Sequence, residues 1–384
     1  MNPIVVLGGS GHAHARQVQK ADVLAGGQRQ LAQFPHFEGR RIVVQADTVS
    51  VVAEIRAAVE AGQRVVVLAS GDPLLYGIGA TLVRELGADR VRIEPGISSV
   101  QLAFARISEP WHDAAILSAH GRPLAEIVPQ ALASVKMAIL TDATATPATI
   151  AGALLEAGME DCRAVVGESL GHAEERIVET RLRQLPGQEF APLNVLLLFR
   201  SAESVRLDFG RSEQDFESVR GQITKAEVRA VALSKLRLST AGVLWDIGAG
   251  SGALAIEAAR LMPRGRVYAI ERDAGQLACL RRNAARLGAG NLQVIEGEAP
   301  EALAGLPAPQ SVFIGGTGGR LADVLAAVPT PFTINLAVLE HVGTVLNRFP
   351  NAEVVQLAIS RSTAVPGGHR LAALNPVYIL TVPA

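Results

Sequence analysis

Residues 243–262, VLWDIGAGSGALAIEAARLM, pass from a short apolar run through three glycines into a segment with helical periodicity. A strand–turn–helix of this kind lets backbone approach a ligand closely, because glycine has no Cβ to hold it away. Gly248, Gly250 and Ala253 satisfy the relaxed G-x-G-x-x-G/A pattern of dinucleotide sites, and Glu271 ends the next strand, where it suits any cofactor presenting ribose hydroxyls. Three features separate the compatible ligands. Asp246 stands directly before the loop, giving D-x-G-x-G-x-G, where its charge would repel a pyrophosphate and attract a cationic amino group. The third strand ends in EGEAP, bringing Glu298 and Ala299 to the adenine side. The fourth ends in FIGGTGG, where Gly315 and Gly316 open a second space for the group being transferred. S-adenosylmethionine is therefore the expected cofactor. An NAD-dependent oxidoreductase using residues 243–271 is the alternative, and Asp246 as a mere helix cap is the purely structural reading.

Around this segment the totals narrow the class. The chain has 384 residues, enough for two domains, with 49% hydrophobic and only 19% charged residues, so large cores are expected. A net charge of -1 without a polybasic block gives no electrostatic basis for nucleic-acid or membrane-surface binding, and 4% aromatics argue against a base-stacking platform. Cys162 and Cys279 lie far apart and form neither a disulfide framework nor a metal-ligand pattern. The N-terminal apolar run is too short for a signal peptide, and no stretch reaches the length of a membrane span. A cytoplasmic enzyme without a metal is expected.

Along the chain, PIVVLGG, RRIVVQA, QRVVVLASGDP and DRVRIEPG read as strands, alternating with helices that stop at Gly62 and Gly87. Strands separated by helices imply a mainly parallel sheet covered on both faces. The texture changes near Pro110, and KMAILTD, CRAVVGE and NVLLLFR follow as strands, so residues 1–200 form one module with lobes at about 1–110 and 113–200. The polar stretch 201–216 reads as a linker. Residues 217–384 form a second α/β domain, opened by a helix with Thr224 as N-cap and Glu227 three residues on, and carrying seven strand candidates.

Taken with their order, these motifs resemble known families. ITKAEVRAVALSKLRL, the glycine loop, VYAIERD, VIEGEAPEAL and VFIGGTGG resemble the decarboxylating methyltransferase domain of cobalamin (corrin) biosynthesis. SGDPLLYGIG, PGISSVQLAFARI and LSAHGRP resemble the precorrin C5-methylating branch of the tetrapyrrole methylases. The fusion resembles the decarboxylating precorrin-6Y C5,15-methyltransferases. The resemblance implies a two-lobed tetrapyrrole-methylase fold followed by a Rossmann-like seven-stranded class I methyltransferase. It implies S-adenosylmethionine as methyl donor, a precorrin as substrate and a homo-oligomer. Methylation at C5 and C15 would be coupled to loss of the ring C acetate carboxyl, taking precorrin-6B to precorrin-8X. Carried over by position, Thr224, Gly248, Ala249, Gly250, Ser251, Gly252, Glu271 and Ala299 would contact the cofactor of the second domain. Ser70, Gly71, Asp72, Leu75, Ser98 and Ser99 would contact that of the first. The loop GGSGHAHARQVQKADV after the first strand is several residues shorter than the family pattern, which bears on C5 methylation and leaves a first module that only binds tetrapyrrole as a further reading.

Other residues divide between bland and functional roles. His12 and His14 lack a third ligand and read as solvated loop; Trp111 and Trp245 read as packing, and Arg281 and Arg282 as a solvated helix face. His120 and Glu340 stay open between substrate contact and simple surface roles. Arg361 and Arg370 bracket a Pro-Gly-Gly turn and are candidates for pairing with precorrin carboxylates, a charged surface loop being the other reading.

Overall fold

The computed structural model describes residues 4–9, 14–44, 48–205 and 209–384. The first sheet has five parallel strands, β1 (Ile4–Gly8), β2 (Val23–Gly26), β3 (Arg40–Val43), β4 (Val65–Ala69) and β5 (Val91–Glu94), in the order β3-β2-β4-β1-β5. Every residue of β4 is buried, as expected of a parallel strand with helices on both faces. The helices Thr48–Glu60 and Ile78–Leu86 pack there and stop before Gly62 and Gly87, both in the left-handed region. Strand β2 escapes a periodicity reading: it is four residues long and wholly buried, too short to show a repeat.

The second sheet contains β6 (Ala115–Ser118), β7 (Lys136–Leu140), β8 (Arg163–Glu168), β9 (Arg176–Arg181) and β10 (Asn194–Phe199), in the order β6-β7-β10-β8-β9. Sequence patterning gives β7, β8 and β10; β6 is four residues beside Pro110 and Pro123, and β9 is a charged edge strand.

The third sheet has seven strands, β11 (Val243–Ile247), β12 (Arg266–Glu271), β13 (Leu292–Glu296), β14 (Ser311–Ile314), β15 (Phe332–Leu336), β16 (Glu353–Leu357) and β19 (Val377–Val382). Their order is β13-β12-β11-β14-β15-β19-β16, parallel except for β19, which runs antiparallel to both neighbours. The strand order reverses between β11 and β14, and a crevice at that switch point is the usual ligand site of open α/β sheets. Between β16 and β19 the chain makes a two-stranded ribbon, β17 (Ser360–Val365) and β18 (Gly368–Ala373), where only a loop was expected.

By compactness the chain forms two units, one of residues 1–113, 166–178 and 191–195, the other of 114–165, 179–190 and 196–384. Two local expectations are corrected. The stretch 201–216 is not a free linker over its second half: the amides of Gly210 and Arg211 bond the buried Glu257 carboxylate, and Phe216 enters the core. Charge and backbone hydrogen bonds hold it, so it shows no apolar period. Thr224 is not the helix cap either; the helix is Ala226–Leu236, Lys225 precedes it without a side-chain cap bond, and Glu213 accepts the Ala226 amide at 2.7 Å.

Candidate active site

Strand β11 delivers the glycine loop to the switch point. Gly248, Gly250 and Gly252 have φ of +72°, +57° and +82°, values strained for any residue with a Cβ. At Gly248 there is a second reason for glycine: an added Cβ would stand 2.4 Å from the Gly316 carbonyl oxygen and 2.7 Å from its nitrogen. The two glycine-rich strand ends therefore meet backbone to backbone. The Gly248 and Ala249 amides bond the Ile270 carbonyl at 2.9 and 3.0 Å, which ties the loop to β12.

The loop walls a cavity of about 220 Å³, lined by Gln222, Thr224, Asp246, Gly250, Ser251 and Phe313 among others. A second hollow of about 150 Å³ continues past Gly248, bounded by Glu271, Arg272, Glu298, Ala299, Gly316 and Gly318. Thus Thr224, Gly248 to Ser251, Glu271, Ala299, Gly315 and Gly316 are brought together around one crevice, with Gly252 opening the following helix. Gln222, Ile223, Phe313, Arg272 and Gly318 line it too and were not singled out, although the motifs ITK, VYAIERD and VFIGGTGG contain all of them but Gln222.

Asp246 is 1% exposed, and neither carboxylate oxygen makes a hydrogen bond of ordinary geometry. Burial first, then the neighbouring Glu271 carboxylate, push its pKa up to about 7, against a smaller opposing effect of the Ala255 amide. It does not cap the helix. Glu271, by contrast, is engaged: Oε2 accepts the Gly250 amide at 2.8 Å, and Oε1 accepts those of Arg272 and Asp273. Its first task is to hold the loop, leaving one lone-pair direction for a ligand hydroxyl.

A second loop cluster lies at the carboxyl end of the first sheet. Ser70, Gly71, Asp72 and Leu75 follow β4, Ser98 and Ser99 follow β5, and β1 between them ends in Gly8. A Cβ on Gly8 would lie 2.2 Å from the Gly71 carbonyl oxygen and 2.5 Å from the Gly96 nitrogen, so the three turns interlock. Asp72 Oδ1 accepts the Leu74 amide at 2.8 Å, an Asx turn that fixes the loop. The Ser98 hydroxyl and Gln101 form a reciprocal capping box on the helix Ser99–Arg106. The Ser98 side chain is therefore engaged in holding the helix start.

Residues 215–381 match the precorrin methyltransferase domain, and residues 13–186 match the tetrapyrrole (corrin/porphyrin) methylases. A Sinorhizobium sp. protein named precorrin-6Y C(5,15)-methyltransferase [decarboxylating] is 36% identical over 331 residues, covering 84% of this chain and 78% of that one. The chain belongs to this family of methyltransferases. Two single-activity relatives also match. Cobalt-precorrin-7 C(5)-methyltransferase of Salmonella typhimurium is 43% identical over 42% of this chain and 78% of its own. A probable cobalt-precorrin-6B C(15)-methyltransferase (decarboxylating) of Pyrobaculum aerophilum is 39% identical over 45% of this chain and 94% of its own. An oxidoreductase built on the 243–271 loop finds no support among these relatives.

Within this precorrin methyltransferase, the arginines expected to meet substrate are corrected. Arg361 on β17 forms ion pairs with Glu213, at 2.8 Å, and with Glu227. A guanidinium already satisfied by two carboxylates is no free anchor for a third. Arg370 stands exposed on β18 opposite Thr363, and neither arginine lines the crevice. Arg361 therefore joins the ribbon to the segment that caps the helix Ala226–Leu236. Its guanidinium, more than the other influences on the site, holds the Glu213 pKa at about 2. Because that value is depressed in the folded state, the pair's stabilisation is full well above 4.5, the ordinary glutamate value, and fades as pH falls toward 2. Arg361→Ala is expected to lower the melting temperature at pH 7, with a smaller gap from the parent at pH 3. Equal melting at both pH values together with a raised precorrin KM would restore the anchoring role.

Trp245, Arg281, Arg282 and His14 have partners within the chain. Trp245 is buried and donates from its indole N–H to the Pro307 carbonyl at 3.1 Å. Arg281 and Arg282 pair with Glu296 and Glu217 on the surface. His14 Nε2 contacts the Gly8 carbonyl at 2.8 Å, whereas His12 and part of the shortened loop lie outside the described residues. Among the described residues there is no cluster that could hold a metal ion, and no helix long and apolar enough to cross a membrane.

Proposed function

We propose that this chain transfers methyl groups from S-adenosylmethionine to C5 and C15 of a precorrin and removes the ring C acetate carboxyl, converting precorrin-6B to precorrin-8X. The carrying observation is Asp246, a buried carboxylate without a hydrogen-bond partner, facing a glycine-walled cavity. A carboxylate in that state calls for a cation, and the ammonium of the cofactor's methionine moiety supplies one. In the second hollow, Glu271 and the Ala299 backbone suit a ribose and an adenine. The bound cofactor would supply an electrophilic methyl on a sulfonium. The chain's part is then alignment: Gly248 and Gly316 fix the loop against the end of β14, and the crevice walls exclude water from the reacting carbons.

The proposed division of labour follows the halves 1–200 and 217–384, the first acting at C5 through the Ser70–Leu75 and Ser98–Ser99 turns, the second at C15. The C5 and C15 relatives, each matching less than half of the chain, support it. A cytoplasmic setting and self-association belong to the same proposal. The two buried free cysteines accord with the cytoplasmic setting.

The test is mass spectrometry of precorrin products. The parent chain should add two methyl groups and release one carbon dioxide. Gly250→Arg, whose side chain would enter open space at the crevice, should leave one methyl added and the carboxyl retained. Asp72→Ala should leave the carboxyl lost and the C5 methyl missing. Loss of both methylations in either folded variant would show that the halves do not act separately, and a parent adding only one methyl would leave the first half as a tetrapyrrole binder.

A further inference from the structure

Asp246 raises a question that cofactor recognition does not answer: how a buried carboxyl with no partner is tolerated before any ligand arrives. It lies on β11 opposite Ala269 of β12 and Phe313 of β14, at the floor of the cavity. The groups lining that cavity with it are uncharged: Gln222, Ile223 and Thr224 before the helix Ala226–Leu236, Ala253 and Leu254 on the following helix, and Phe313 and Gly315 from β14. The charged group that bears on it from β12 is Glu271, which is itself an anion acceptor of three amides. Glu257, further along the helix, is neutralised by Arg229. Among the described residues, no cation lines the cavity.

We propose that the cofactor cavity works by proton exchange: Asp246 carries a proton while the cavity is empty and surrenders it to solvent when a ligand's ammonium group takes its place. The inference rests on the proposed cofactor and goes beyond it. An ionised carboxylate there would stand desolvated beside a second carboxylate, which proton uptake avoids. An incoming ammonium reverses the balance by pairing with the ionised form. Selectivity follows, since a ligand that fills the cavity without a cation gains no charge pair with Asp246.

Calorimetric titration with S-adenosylhomocysteine, which keeps the ammonium, tests this in buffers of different ionisation heat, for the full-length parent and Asp246→Asn. The parent should release close to one proton more than the variant per chain at pH 6 and close to none at pH 8. Its affinity at this site should tighten about tenfold over that interval, as a group titrating near pH 7 requires. Methylthioadenosine, which lacks the amino acid, should release no proton. If Asp246→Asn fails to fold, infrared difference spectra of the parent at pH 6 read the same event, as loss of a protonated-carboxyl band when S-adenosylhomocysteine is added. Binding with neither proton release nor band loss overturns proton exchange and leaves the cofactor assignment standing. Failure of the folded parent to bind S-adenosylhomocysteine overturns the assignment, and proton exchange with it.

Discussion

Replacing Gly248 by alanine is expected to destabilise the C-terminal domain by on the order of 4 kcal/mol and abolish decarboxylation, while Gly250→Ala shifts stability by no more than about 1 kcal/mol. Both positions have positive φ, so backbone strain is common to them. What differs is the neighbourhood. The alanine Cβ at Gly248 would overlap the Gly316 backbone, which cannot swing aside as a flexible side chain would, whereas nothing lies within 4 Å of the corresponding point at Gly250. Relief of the clash needs β11 and β14 to part at their carboxyl ends, which opens the floor of the crevice. Denaturant melts of the two variants, with carbon dioxide release as the activity readout, check this. Equal stability losses would mean that φ alone matters and that the loop-to-loop approach is unimportant.

The second large effect is expected at Arg229 and Glu257, both 0% exposed and paired at 3.0 Å. Arg229 also donates to the carbonyls of Thr224 and Arg211 and stacks 5.1 Å from the Phe216 ring centroid. Glu257 accepts the Gly210 amide at 2.8 Å and that of Arg211 at 3.1 Å. The pair thus fastens two successive segments, 210–216 and 222–224, and the latter walls the cavity at the glycine loop. Arg229→Met keeps most of the volume but strands a buried carboxylate, for which about 3–5 kcal/mol of destabilisation is expected. That is a large part of a typical domain's stability of about 5–15 kcal/mol. Adding Glu257→Gln to Arg229→Met should recover a substantial part of the loss, because the stranded charge is then gone. Melts of the two single variants and the double variant form a thermodynamic cycle; strictly additive losses would show that the ion pair is not the fastening.

The order of the two motif sets, SGDPLLYGIG before DIGAGSG, carried the family resemblance and the α/β class, because tight glycine turns at strand ends leave a residue pattern that two sets in a fixed order make specific. The apolar run VVVLA declared itself as a buried parallel strand, since burial on both faces selects against polar residues, and VLWDI did so despite Asp246 near its end. The switch-point glycines were legible for the same reason: positive φ admits little else. Short or charged elements were not legible. Strand β2 takes its place from its neighbours β3 and β4, and the ribbon β17–β18 is made by cross-strand hydrogen bonds that no residue-type pattern announces.

Charge partners were decided by tertiary structure alone. In sequence, Arg361 is a cation beside a turn and Glu213 an acid in a polar stretch; folding places them 2.8 Å apart across 148 residues and converts an expected substrate anchor into a clasp. Glu271 likewise reads as a ribose acceptor from its place at a strand end, but the fold first gives its oxygens three backbone amides to satisfy. For Asp246 the sequence determined its position before the loop, and the fold determined its state: buried, beside another carboxylate, without a partner. Position along the chain follows from local backbone chemistry, which sequence records directly. The state of an ionisable group depends on desolvation and on charges brought from distant segments, and these exist only once the chain has folded.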